Sequence, residues 1–168
     1  MELQPVLVNP TPVVHAGQRL QQRIVDWSKA SQYSHRSSED LDKIDANEVF
    51  EHIKDISDPE HPFSLEQLRV VNAKYLLVSK VIFRIQVTFS PTVPHCSMAT
   101  LIGLSIRVKL LRALPRCFKL DILVRPGYHS SHEAVTKQIN DKERVAAALE
   151  NTNLLQKVDS CLDGKTAL

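Results

Sequence analysis

Between Ser97 and Leu114 the chain reads SMATLIGLSIRVKLLRAL, a run that is apolar on nearly every side of a helical wheel and is stopped by Pro115. A helix with so little polar face belongs in the core, so this run fixes the centre around which the rest of the chain must be arranged. The SIRVKLL part also alternates like a strand, and the proline closes the segment in either conformation. The stretch from Met98 to Leu111 is interrupted by Arg107 and Lys109 and is too short to cross a bilayer, so no membrane anchor is expected.

The flanking segments carry the periodicities of a small α+β domain. DANEVFEHIKDI places Ala46, Val49, Phe50 and Ile53 at helical spacing behind Asp45 as N-cap, which predicts a first helix of about three turns ending before Pro59. Residues 68–78 and 81–89 read as extended. The second is the clearer, with Val81, Phe83, Ile85, Val87 and Phe89 alternating with Ile82, Arg84, Gln86 and Thr88. The join between them, VSKVIF, has no Gly, Asn or Pro to mark a turn. FKLDILV at 118–124 is a third strand, and after the Pro126-Gly127 turn SSHEAVTKQINDKERVAAALEN and NLLQKVDSCL read as helices. The expected fold class is therefore α+β, a small mixed sheet of about three strands packed against helices in the order α-β-β-α-β-α-α.

With 168 residues and 43% hydrophobic content, the chain is long enough for one sizeable core. Residues 1–42 are expected to be a largely disordered tail in which Ile24, Val25 and Trp27 are candidates to dock on a partner, and 43–165 to be the domain. Lys and Arg number 21 against 19 Asp and Glu, which leaves no strong field for nucleic acid, so direct nucleic-acid binding is not expected. Cys96, Cys117 and Cys161 lie far apart with no C-x-x-C spacing and no secretory signal ahead of them, the pattern of free thiols in a reducing compartment.

The chemistry concentrates at PTVPHC, where Pro91 and Pro94 confine the backbone so that Cys96 falls at or just before a helix N-terminus. There the free N–H groups and the positive end of the helix dipole favour the thiolate, making the sulfur a nucleophile and a soft-metal ligand. The competing reading is that Cys96 is a small buried hydrophobe. Cys117, expected on a strand, and Cys161, on the last helix, fit the inert description. His95 adjoins Cys96 in the chain. His129 and His132, three apart before a helix, lack a second ligand pair for a structural zinc site. Asp58 and Glu60, in a loop after the first helix, are carboxylates placed to tune a thiolate or share a metal, or simply to form a solvated turn.

Taken together, DPEHP, PTVPHCSMATLIGLSIRVKLLRALP, PGYHSS and KQINDKERVAAALEN closely resemble the eukaryotic cytosolic iron–sulfur assembly component 2 family. The likeness is to its B-type branch, the MMXD-complex-subunit type, and it runs from about residue 44 to 163, with NPTPVV as a shorter N-terminal echo. Two departures stand out: the family's polar turn between the first two strands is here SKVIFR, and Tyr128 stands where a small hydroxyl residue is usual.

The resemblance implies a non-enzymatic adaptor of the cytosolic iron–sulfur targeting complex. Such an adaptor binds a WD-repeat propeller protein and a large helical-repeat scaffold, delivers clusters to cytosolic and nuclear apoproteins, and is linked with chromosome segregation. It also implies cytoplasmic and nuclear location, a homodimer sometimes formed with exchanged segments, and a pocket of Asp58, Glu60, Thr92 and His95 around a reactive Cys96. No tightly bound cofactor is expected, only a transient iron–sulfur cluster or zinc held through Cys96, and one cysteine is too few ligands for a cluster unless a partner supplies the rest. The alternative is a thiol-dependent enzyme with Cys96 as nucleophile and His95, His129 or His132 as base, although the sequence shows no oxyanion loop or third orienting residue to go with it.

Overall fold

A computed structural model of the chain describes residues 13–16, 44–93 and 98–163. The first helix, α1 (Ala46–Ile53), starts where the Asp45 carboxylate accepts a hydrogen bond from the Glu48 N–H at 2.8 Å, and it turns Val49, Phe50 and Ile53 inward. At 8 residues it is shorter than the three turns expected. The strand expected over 68–78 is a strand only at its end. Leu65, Val70 and Val71 enter the core from a looped segment, a 3-10 turn follows at Ala73–Tyr75, and β1 covers Leu76–Ser79. Asn72 caps that turn by accepting from the Lys74 N–H, a local side-chain bond that competes with strand pairing.

β2 (Arg84–Phe89) is likewise shorter than the 81–89 expected, because Val81, Ile82 and Phe83 form the connection from β1 and are exposed. Phe83 has φ +46°, a left-handed conformation costly for a bulky residue. It is held by the Lys119 N–H donating to its carbonyl at 2.7 Å and by an edge-on contact with the Phe118 ring, centroids 5.7 Å apart. An unmarked turn is thus closed by tertiary contacts instead of by turn residues.

The apolar run is the helix α2 (Met98–Ala113), and β3 (Lys119–Val124) follows it. The sheet has the order β1-β2-β3, with β1 antiparallel to β2 and β2 parallel to β3 in the register Ile85↔Leu120, Val87↔Ile122, Phe89↔Val124. β2-α2-β3 is therefore a β-α-β unit, and α2 is the crossover on the buried face of the sheet. It packs on α1, on β3, and on α3 (His132–Asn140) and α5 (Thr152–Leu162), which explains why it needs so little polar surface. The segment after Gly127 divides at Asp141 into α3 and α4 (Lys142–Glu150), Asp141 capping the second by accepting from the Glu143 and Arg144 N–H groups.

The free edge of β3 is closed by side chains. Asn140 accepts from the Ile122 N–H at 2.9 Å and donates to the Ile122 carbonyl at 2.7 Å, Thr136 Oγ1 accepts from the Val124 N–H at 3.0 Å, and Arg107 donates to the Leu120 carbonyl at 3.2 Å. An amide side chain thus stands in for a neighbouring strand and leaves no open ladder. Cys117, expected on a strand, lies in the turn before β3 and is exposed. Among the described residues no helix is long and apolar enough to cross a membrane.

Candidate functional site

The carboxyl end of β2 and the start of α2 face the loop after α1, and the candidate residues meet there. Asp58, Glu60, Pro91, Thr92, Val93, Met98, Ala99 and Ile102 line one narrow crevice. The loop is drawn tight by the Ser57–Ser64 bridge and by the Asp58 N–H donating to the Phe63 carbonyl at 2.9 Å. On the other wall the Ser90 N–H donates to the Val70 carbonyl at 2.8 Å, which fixes where the chain leaves β2. The outer end of a parallel strand beside a crossover-helix start is the position at which α/β sheets commonly bind ligands. Three of the five residues expected at the site, Asp58, Glu60 and Thr92, therefore share one crevice. His95 and Cys96 lie outside the described residues.

Asp58 is the most constrained group in the crevice. It is 1% exposed, and its Oδ1 accepts from the Glu60 and His61 N–H groups at 2.9 and 3.0 Å. Its Oδ2 is buried and has no hydrogen-bond partner among the described residues, and the same holds for His61 Nε2. Burial pushes the Asp58 carboxyl above the usual carboxylate range, with the two N–H donors and the nearby His61 pulling it partly back. Behind the loop, the Ser57 N–H donates to the Cys161 carbonyl at 2.9 Å. The Cys161 thiol is pushed up by burial, an effect that contact with Ser105 opposes and the Asp58 charge adds to.

Thr92 is shared with a second, larger concavity of about 440 Å³. His15, Arg69, Lys74, Tyr75, Arg125 and Tyr128 contribute to its wall. The Arg125 guanidinium lies 4.6 Å from the Tyr75 ring centroid and 4.7 Å from that of Tyr128, and the Lys74 ammonium lies 4.8 Å from the Tyr75 centroid. Hydrogen bonding to Lys74 holds the Tyr75 phenol below its usual range, with the Arg125 charge assisting. Val13 also lines this space, and the His15 N–H donates to the Gln67 carbonyl at 2.7 Å, tying the described N-terminal residues to the domain.

The family model for an iron–sulfur cluster assembly protein matches residues 46–124, from α1 to the end of β3. Among curated proteins, mouse "Cytosolic iron-sulfur assembly component 2B" is 58% identical over 125 residues, 74% of this chain and 77% of the mouse protein. The Dictyostelium discoideum protein of the same name is 45% identical over 157 residues, 92% of this chain and 96% of its own. Drosophila melanogaster "MIP18 family protein galla-2" is 52% identical over 124 residues, 74% of this chain and 80% of the fly protein.

The chain belongs to the MIP18 family of iron–sulfur cluster assembly proteins.

In this MIP18 family member the other sequence candidates are dispersed. His129 is buried with its Nδ1 accepting from the Ser131 N–H at 3.0 Å, and His132 opens α3. Cys161 is buried on α5. Among the described residues no group of three or more His, Cys, Asp or Glu is placed to hold a metal ion. His61 was not singled out from sequence, although DPEHP contains it. A histidine two residues after a buried loop aspartate's proline gives no periodic signal, and only the closed loop shows that its ring is enclosed. The residues of the basic concavity come from four separate segments, so no local motif marks it.

Proposed function

We propose that this chain is an adaptor in cytosolic iron–sulfur protein assembly that acts without turnover of its own. The observation that carries the reading is the extent of the match: relatives named as cytosolic assembly components match 74% and 92% of the chain. The crevice geometry supports it. Asp58 shares the crevice with Thr92, Val93 and Met98, and the buried Asp58 Oδ2 and His61 Nε2 are ligand-type atoms without a hydrogen-bond partner among the described residues. In this reading Cys96 is the contact for a cluster in transit, zinc or a client thiol, Glu60, Thr92 and His95 shape its approach, and the remaining ligands of any cluster come from a second molecule.

The adaptor works in the cytoplasm and nucleus, joined to a WD-repeat propeller protein and a large helical-repeat scaffold, and serves iron–sulfur apoproteins that include those needed for chromosome segregation. A homodimer is part of the same proposal. The test is co-purification with cluster loading. Tagged protein is expected to recover the propeller, the scaffold and iron–sulfur clients, and Cys96→Ala is expected to lower the iron content of those clients while leaving complex formation intact. Full client loading with Cys96→Ala would remove the cysteine from the mechanism, and recovery of none of the partners would remove the adaptor role.

A further inference from the structure

The basic concavity beside the crevice has a chemistry that the assembly role does not account for. Arg69, Lys74 and Arg125 bring three cations to its wall, and no Asp or Glu lines it among the described residues. None of the three cations forms an ion pair with a described carboxylate. This imbalance is local, because the chain as a whole is nearly neutral, 21 basic against 19 acidic residues.

Two of the cations are also held against aromatic rings. Arg125 packs against two tyrosine rings, which restrict its guanidinium and leave the in-plane N–H groups as the donors for a ligand. Lys74 packs on one of the same rings, so both cations adjoin Tyr75 at the cleft wall. Arg69 has φ +55°, a left-handed conformation that a non-glycine residue keeps only where the surroundings impose it, and its N–H donates to the Glu66 carbonyl at 2.9 Å. Ser90 and Thr92 also line the cleft and carry hydroxyls that can donate.

We infer that this cleft binds a phosphate group. Three cations, two of them held on rings, with hydroxyl donors suit a dianion with three exposed oxygens better than a single carboxylate, because each further charge on the ligand is matched by another cation at the wall. The volume, about 440 Å³, admits a phosphate with a short organic substituent. Tyr128 supplies the second ring against Arg125 and completes the clamp. The inference is independent of the adaptor reading, since it concerns ligand binding and not client loading.

The test is a calorimetric titration of the full-length protein with inorganic phosphate, phenyl phosphate and a neutral-flanked phosphoserine peptide. Its unphosphorylated and glutamate counterparts serve as controls. The phosphate probes are expected to saturate, the controls to bind at least about tenfold more weakly, and Arg125→Gln to weaken phosphate binding about tenfold or more, the size of one charge-assisted bidentate contact. Tyr128→Thr is expected to weaken it several-fold while the melting temperature stays unchanged, which separates loss of the clamp from loss of the fold. A phosphopeptide that binds much more tightly than phenyl phosphate assigns the phosphate to a partner polypeptide, and equal affinity assigns it to a free phosphorylated small molecule. No saturable binding of any phosphate probe at millimolar concentration, equal binding of the glutamate peptide, or unchanged affinity in both Arg125→Gln and Lys74→Gln would overturn the inference.

Discussion

Asp58 is kept where its charge works against the fold. A carboxyl whose pKa is raised by folding binds its proton more readily in the folded chain, so its ionisation opposes folding. Its stabilising contribution is complete below the unfolded value and is lost as pH rises through the folded one. Asp58→Asn removes the buried charge yet keeps an oxygen to accept from the Glu60 and His61 N–H groups. It is expected to be at least as stable as the parent chain in urea at neutral pH, with the difference shrinking as pH is lowered into the range where Asp58 protonates. Asp58→Ala leaves both donors unsatisfied and is expected to cost about 1–3 kcal/mol. An Asp58→Asn variant clearly less stable at neutral pH would contradict the assignment of burial as the dominant cause. The carboxylates and Thr92 were legible in the sequence through the motif they resemble. The burial that gives Asp58 its character was not, because it depends on a loop closed by the Ser57–Ser64 bridge and backed by α5.

The strands and helices were legible where periodicity and packing agree, and misread where tertiary contacts replace local signals. Alternation over 85–89 and 120–124 marked β2 and β3 because one face of each is buried. The apolar Leu68–Val71 segment looked like a strand because a buried loop draws on the same residues as a buried strand, and Val81–Phe83 extended the alternation into a turn that no Gly or Asn announces. The closure of β3 by α3 left no sequence signal at all, and it makes two sharp predictions. Asn140→Ala removes the acceptor of the Ile122 N–H and the donor to its carbonyl inside the domain, and is expected to cost about 2–6 kcal/mol in chemical denaturation, two unsatisfied groups at about 1–3 kcal/mol each. A loss under about 1 kcal/mol would mean that solvent reaches this edge. One turn of α2 faces the same helix through Gly103, where an added Cβ would lie 2.6 Å from Ile139 Cδ1 and 2.9 Å from its Cγ2. Gly103→Ala gains about 1 kcal/mol of helix propensity but forces α2 and α3 apart at a cost of about 1–3 kcal/mol. It is expected to lower stability on balance, and Gly103→Ala with Ile139→Val is expected to recover part of the loss.

Among the described residues, the buried core of the domain comes from residues 44–161, and the described N-terminal residues contribute differently. Val13 and Val14 are 70% and 44% exposed, and the His15 N–H bond to the Gln67 carbonyl is the backbone link they make to the domain. A single such bond is worth about 1 kcal/mol, which for a domain of this size moves the melting temperature by about 4 °C. By this link alone, removing residues 1–42 is expected to lower the melting temperature by about 4 °C in differential scanning calorimetry. The same deletion takes away Val13 and His15 from the wall of the phosphate cleft, and so is expected to weaken binding of phenyl phosphate by roughly two- to tenfold. The two measurements separate a segment that completes a ligand site from one that completes a fold. A fall of more than about 10 °C would place the segment within the cooperative unit. Unchanged stability with unchanged affinity would leave the cleft to the cations and rings of the domain alone.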